Sequence, residues 1–576
     1  MPLKIQNKRL RLSVIITLLA IPITFIFTYP LLPQIGSHIV GYFGSDAINH
    51  AWSVWWFKHA VTTLQQSPAE LNYIYYPAEV EHPLVLATAW VKLVGFIFVE
   101  RIDPITLYNI HLFLSYPLTW VITALLCYEL TENETSAVIG GAIFTFTMHR
   151  TIHALYGHFT HALAYSYPLL ALSLFLHLKR PSPKRGLLLI ASLFIILTTD
   201  LMAVAFFAIP VITGMVLFQW KKQHFLKTLW PFVVAFFLVL PFVWPLIVAN
   251  LGGGLGWYGS SGVGEFSADA VGLFVPPPDH LLSRAFPPLK DLSNQIYWLG
   301  RTENIVYAGW ITLALAVLAL IKNRQNRWVG FWFVITAVTT LFSYGPLLRV
   351  AGRFINIQET PIIMPYAILL QLPFLSWGRT PARLHLTAML GLAILAAYGI
   401  NWLLQRYQWV SQHKIAFGFG LVMLILLDSV GPYPWPMTDT AVPAGLTLIA
   451  EDDRQTAVLD LPVSEYTAAK YHLLYQLEHG HPLVGGFRVR LPESALEEML
   501  LIESYALQDN NQMLLAEAGI GYIILHKQFL SDTNELEAHF RATIGNPIFD
   551  DEQITLFAIT APRELAPHPI YSFDLK

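Results

Sequence analysis

Four groups of residues have types and spacings suited to chemistry. Asp46 lies in FGSDAINHAW (43–52), just past the apolar run LSVIITLLAIPITFIFTYPLL (12–32) and ahead of the aromatic AWSVWWF (51–57). A carboxylate where a membrane helix surfaces can accept a proton from a hydroxyl, whether its substrate arrives from water or is held in lipid. The plainer reading is a solvated loop acid. The tract HRTIHALYGHFTHALAYSYP (149–168) carries His149, Arg150, His153, His158 and His161. It superficially resembles a metal cluster but lacks the compact acid-plus-histidine spacing of a zinc helix. The favoured expectation is therefore no metal, with histidines and an arginine lining an outward cavity and His158 meeting phosphate; the bland alternative is interfacial snorkelling.

Asp200, in LTTDLMA, stands between two short apolar runs. An acid at that depth is costly and points to function, although a helix cap explains it equally well. WLGRTENIVYAGW (298–310) and LPFLSWGRTPARLHL (372–386) place Arg301, Arg379 and Arg383 at the mouths of apolar segments, with Glu303 beside the first. Guanidinium forks match phosphate geometry, so a phosphate at the membrane surface is their natural ligand. Salt bridging, for instance of Arg301 with Glu303 or Asp46, is the competing reading. No phosphate-binding P-loop, nucleophile elbow or dinucleotide fingerprint is present.

The elements that would position these residues are membrane helices. The 576-residue chain is 55% hydrophobic and 13% charged, with mean hydropathy +0.51, too apolar for an ordinary soluble protein. A net charge of −3 offers no footprint for nucleic acid, and the single cysteine, Cys127, excludes an intramolecular disulfide framework. About eleven spans are expected, near 12–33, 105–129, 136–148, 162–178, 186–199, 201–219, 229–249, 305–321, 328–345, 384–404 and 415–431. The first is read as uncleaved.

Basic clusters at 4–11, 179–185, 220–227, 322–327 and 405–414 all fall on the cytoplasmic side if the apolar run 84–99 does not cross. The loops 34–104, 250–304 and 346–383 then face outward. So does the segment 432–576, whose strand-like AVLDLPV (457–463) and GYIILHK (521–527) alternate with helical stretches. The expected fold is thus mainly α: a transmembrane domain over 1–431 and a small extracytoplasmic α/β domain over 432–576. The Trp-rich stretch reads as an interfacial anchor, and His479 and His481 as surface residues.

GSDAINHAWSVWWFKHAV, TMHRTIHALYGHFTHALAYSYPLL, RTENIVYAG, LPFLSWGRTPARL, LDLPVSEY and YHLLYQLEHGHPLVGGF together resemble a poorly characterised set of bacterial proteins similar to the GT-C membrane glycosyltransferases. That superfamily includes protein O-mannosyltransferases and aminoarabinose transferases. The resemblance implies inverting transfer of a sugar from a polyprenyl-phosphate donor to an acceptor (glycan, lipid or protein) outside the plasma membrane. It puts Asp46 in the place of the family acid that acts as base or orients the acceptor. Many members have a second, adjacent acid, whereas here the neighbours are Ser45 and Ala47; Glu303 or Asp200 would supply one only if folding brought it close. Arg301, Arg379 and Arg383 would stabilise the leaving phosphate. Some relatives use a divalent cation and others do not, so that cofactor stays open. A transporter or lipid-linked-glycan flippase is the alternative, set against the lack of an internal repeat. A non-catalytic family member is a third reading.

Overall fold

The computed structural model describes residues 2–219, 225–252, 262–298, 302–372, 375, 378–486 and 491–565. The chain divides into two compact units: 1–33, 109–244 and 259–436 in the first, and 34–108, 245–258 and 437–576 in the second.

The first unit is helical. Among the described residues, five helices are long and apolar enough to cross a bilayer: Lys8–Phe27, Pro104–Thr131, Leu201–Gln219, Leu226–Leu251 and Pro381–Arg406. Shorter helices fill the other apolar runs, including Glu134–Thr145, Ser166–Lys179, Pro183–Leu197, Trp310–Lys322, Arg327–Ser343 and Lys414–Leu427. The chain is a multi-pass membrane protein. Side-chain caps start several of these helices: Asn133 Oδ1 accepts from the Ser136 N–H at 3.0 Å and Asn326 Oδ1 from that of Trp328 at 2.9 Å.

The centre of the unit is the helix His385–Arg406, buried continuously from His385 to Ile400. Helices packing around it without a hydrophobic drive from water need close backbone approach, which small residues permit. A Cβ on Gly399 would stand 2.2 Å from the Leu315 carbonyl oxygen, and one on Gly391 2.1 Å from Thr336 Oγ1. The helices Trp310–Lys322 and Arg327–Ser343 therefore seat directly on it.

Polar contacts orient the bundle. Glu129 pairs with Arg9 and, at 3.5 Å, with Lys179, and His177 Nε2 donates to the Lys227 carbonyl at 3.1 Å. Asn323 donates to the Tyr398 carbonyl, whose hydroxyl reaches Leu130. Residues from the basic clusters thus gather at one end of the unit. His385, at the start of the central helix, belongs to the other.

The second unit joins the first long loop to the C-terminal segment. His38–Val40 pairs antiparallel with Met437–Asp439. A four-stranded sheet runs Ala457–Leu461, Ile520–His526, Ile554–Ala558, Phe549–Asp550, the first pair parallel and the others antiparallel. Helices Ala468–His479, Glu493–Ala506, Asn511–Glu517 and Thr533–Thr543 accompany it. The run 84–99 folds as two pieces, Leu84–Ala87 and Ala89–Phe98. Ten helical residues extend about 15 Å, half a hydrocarbon core.

The Trp-rich stretch is not an interfacial anchor. Trp52 and Trp56 are buried in the helix Ala47–Thr62, their rings stacked at 5.9 Å. Trp52 Nε1 donates to Gln476 Oε1 at 2.7 Å and Trp56 Nε1 to the Pro68 carbonyl at 2.9 Å. Indole N–H groups buried in protein need such partners, and the C-terminal segment supplies one.

Candidate functional site

The first unit brings the histidine tract together with residues distant in sequence. The helix Met148–Leu155 puts His149 and His153 four apart, on one face. A turn at Gly157, with φ of +78°, folds the chain back so that His158 and His161 meet them. Gly takes this left-handed conformation without steric cost. Arg150, fully buried, holds the fold-back: Nε donates to the Ala162 carbonyl at 2.6 Å, one terminal nitrogen to Thr145 O at 3.0 Å, and the other to Ser115 Oγ at 2.7 Å. Its guanidinium lies 3.8 Å from the centre of the Tyr116 ring.

The histidines themselves form a compact cluster. His149 Nε2 stands 3.0 Å from His161 Nε2, and His149 Nδ1 bonds the Ile305 carbonyl. His153 Nδ1 meets His158 Nδ1 at 2.6 Å, and His161 Nδ1 meets Asp200 Oδ2 at 3.2 Å. The rings of His149 and His385 lie 5.2 Å apart. His149, His153 and His161 are each 0% exposed, so they neither snorkel to an interface nor line an open cavity; His158 is half-buried. Burial pushes the imidazoles of His149 and His153 well below their ordinary range, helped by neighbouring histidines and Arg383.

The two acids expected here are both partnered. Asp200 caps the helix beginning at Leu201, its Oδ1 accepting from the Met202 N–H at 2.9 Å. Capping and the His161 contact therefore coexist on one carboxylate. Burial alone would raise its pKa, but the hydrogen bond from His161, with Arg383 and the Met202 N–H, outweighs that and holds it below the usual range. Directly after it, Val204–Ala208 forms a π-turn. Pro210 explains the widening, since a proline clashes with the carbonyl four residues before it.

Glu303 takes both arms of the Arg383 fork: Nε donates to Oε2 at 2.8 Å and a terminal nitrogen to Oε1. His158 Nε2 stands 3.5 Å from the same Oε1. Against burial, which would raise it, Arg383 and His158 hold the Glu303 carboxyl down at about 2. Arg379, half-buried, lies over the Phe266 ring at 5.6 Å, and among the described residues it makes no ion pair. Arg301 lies outside the described residues.

Asp46 belongs to the second unit. It occupies the cap position of Ala47–Thr62 without a side-chain capping bond, and its Oδ1 pairs with Lys470 Nζ at 2.8 Å. Lys470 is buried and also donates to the Gly44 carbonyl. Sequence reasoning gave no hint of this partner, which lies 424 positions away.

A second buried cluster follows in the same unit. His526 Nε2 meets Asp460 Oδ1 at 2.6 Å, and His472 stands beside them. His479 and His481 are buried rather than surface-exposed. Burial takes His472 and His479 down to about 3.

A family described as a domain of unknown function, DUF6311, matches residues 86–380, half of the chain. The chain belongs to that family. No curated protein matches this DUF6311 chain. Among solved structures, the mycobacterial arabinofuranosyltransferase AftD superposes with TM-score 0.53 at 14% identity, over 96% of this chain and 40% of that one. The chain thus spans two fifths of that protein's length. ArnT from Cupriavidus metallidurans, bound to undecaprenyl phosphate, gives TM-score 0.48 at 10% identity over 95% of this chain and 98% of its own. The Archaeoglobus fulgidus oligosaccharyltransferase, in complex with zinc and sulfate, gives 0.46 at 11% identity over 93% and 70%. This DUF6311 chain has the GT-C fold.

Proposed function

We propose that this protein is a membrane glycosyltransferase that moves a sugar from a polyprenyl-phosphate donor to an acceptor outside the plasma membrane, with inversion at the anomeric carbon. On this reading the ends of the helices that carry the basic clusters face the cytoplasm, together with the N-terminus. The histidine end of the first unit and the C-terminal segment then face out, and the remaining apolar helices complete about eleven spans.

Asp46 is the proposed general base. The observation that carries this choice is how the three acids are engaged. Glu303 gives both oxygens to Arg383, and Asp200 gives one to its helix cap and one to His161. Asp46 gives Oδ1 to Lys470 and keeps a side chain 27% exposed. A base must offer a lone pair to the incoming hydroxyl, and the most solvent-reachable of the three carboxylates is the one placed to do so. Glu303 and Asp200 then act as positioning residues for Arg383 and His161.

Arg379 is the proposed principal phosphate ligand. A guanidinium with no carboxylate partner among the described residues, four positions before one that is locked, is disposed to meet the charge developing on a departing phosphate. Arg383, Arg301 and His158 are the further proposed phosphate ligands.

The test is incubation of purified protein with a panel of polyprenyl-phosphate sugars and candidate acceptors. Transfer by wild type, lost in Asp46→Asn and reduced in Arg379→Gln with a raised KM for donor, is expected. Equal turnover by wild type and Asp46→Asn removes Asp46 from the mechanism. Transbilayer movement of the lipid without any transfer removes the enzyme reading itself.

A further inference from the structure

We propose that His149, His153 and His161 bind one zinc-type divalent cation through their Nε2 atoms. The Ile305 carbonyl can only accept, so His149 Nδ1 carries its proton and His149 Nε2 presents a lone pair. A carboxylate likewise accepts, so His161 Nδ1–H faces Asp200 and His161 Nε2 presents a lone pair. Those two lone pairs point at each other across 3.0 Å. His153 Nε2, also fully buried, has no hydrogen-bond partner among the described residues.

An extra proton between His149 and His161 would join those two and leave His153 Nε2 orphaned. A cation satisfies all three nitrogens together. The ligand-capable atoms of the three residues lie within 4.8 Å of one another. Tetrahedral zinc with bonds of ~2.0–2.1 Å separates its nitrogen ligands by about 3.3 Å; the His149 and His161 Nε2 atoms already stand 3.0 Å apart, and His153, within the 4.8 Å cluster, has only to draw in.

The outward faces of the rings fit the same arrangement. Metal-bound imidazole donates its other N–H to a carbonyl, carboxylate or comparable acceptor, which fixes the ring and raises its basicity. Here the acceptors are Ile305 O, Asp200 and His158 Nδ1, and His158 in turn reaches Glu303. Each Nδ1–H has a partner on the far side from the proposed ion. Neutral imidazoles suit zinc and its neighbours, whereas magnesium and calcium take oxygen ligands. Three protein ligands leave the fourth position to a water or a substrate oxygen.

This inference goes beyond the transfer reading and does not depend on it, since it is tested without any sugar donor. The full-length protein, purified in detergent, is stripped with chelator, reloaded with Zn²⁺ or Co²⁺ and assayed for bound metal. Wild type is expected to hold one equivalent more than His153→Ala. Its Co²⁺ form should show the intense visible bands of a four-coordinate site, absent from that variant. Asp200→Asn keeps all three ligands but has one acceptor oxygen, which the Met202 N–H and His161 Nδ1–H cannot both take, and should weaken binding about 10–100-fold without abolishing it. If His153→Ala does not fold, wild type and Asp200→Asn decide the question between them. Wild type that takes up no Zn²⁺, equal metal content in wild type and His153→Ala, or equal affinity in wild type and Asp200→Asn, overturns the proposal.

Discussion

Glu303→Gln is the substitution whose energetic consequence follows most directly from the structure. Glu303 is 7% exposed and receives both arms of the Arg383 guanidinium, with His158 at 3.5 Å. A carboxyl held at about 2, against an ordinary 4.5, contributes roughly 3 kcal/mol to stability at neutral pH. Because the folded-state pKa is depressed, that contribution is fully present above the unfolded value, near 4.5, and is lost as pH falls through about 2. Glutamine keeps the shape but not the charge, so the half-buried Arg383 guanidinium, 21% exposed, loses its carboxylate; solvent access holds that loss to the lower end of the ~3–5 kcal/mol of a fully buried pair. The expected result is a variant destabilised by about 3 kcal/mol at pH 7, with the difference from wild type shrinking steadily between pH 4.5 and 2. Unfolding in detergent, followed across that pH range for both proteins, supplies the comparison. Arg383→Met in the Glu303→Gln background should recover part of the loss, because removing the second charge ends the desolvation penalty. A pH-independent difference between the two proteins, or strict additivity in the double variant, would refute the ion-pair reasoning.

Three further substitutions probe other parts of the fold. Gly399→Ala should destabilise the first unit by about 1–3 kcal/mol, since the new methyl meets the Leu315 carbonyl, which is backbone and cannot step aside; thermal unfolding measures it. Arg150→Met strands the carbonyls of Thr145 and Ala162 in a fully buried site, while Ser115 Oγ keeps its own bond to the Leu112 carbonyl. At ~1–3 kcal/mol for each unsatisfied group, the yield of monodisperse protein should collapse on size exclusion. Lys470→Met should cost less than Glu303→Gln in the same unfolding assay, because the Asp46 it leaves behind is 27% exposed and water can solvate it.

What was legible in the sequence divides along the range of the interactions. Apolar run length announces a membrane helix locally, so the helices could be placed before any contact was known. The i, i+4 spacing of His149 and His153 was equally visible. It did not show that a turn would return His161 to the same point, nor that Asp200, Ile305 and His158 would stand behind the three rings. The Trp-rich helix shows the limit most sharply. Tryptophan beside a membrane span suits a headgroup interface and a protein core equally well, because both offer an apolar body with a place for one N–H. The structure gives Trp52 the core, through a glutamine 424 residues further on. The same distance conceals Lys470 from any reading of Asp46.

For Glu303 the acid and its arginine were both singled out, and the competing salt-bridge reading paired it with Arg301, two residues away. The observed partner, Arg383, lies 80 residues off, at the mouth of the central helix. Sequence proximity favoured a flexible contact between loop neighbours. The fold instead anchors Glu303 to Arg383, just ahead of the helix on which the first unit is packed. An acid tied there is held for position, and that is why the proposed base is sought at Asp46.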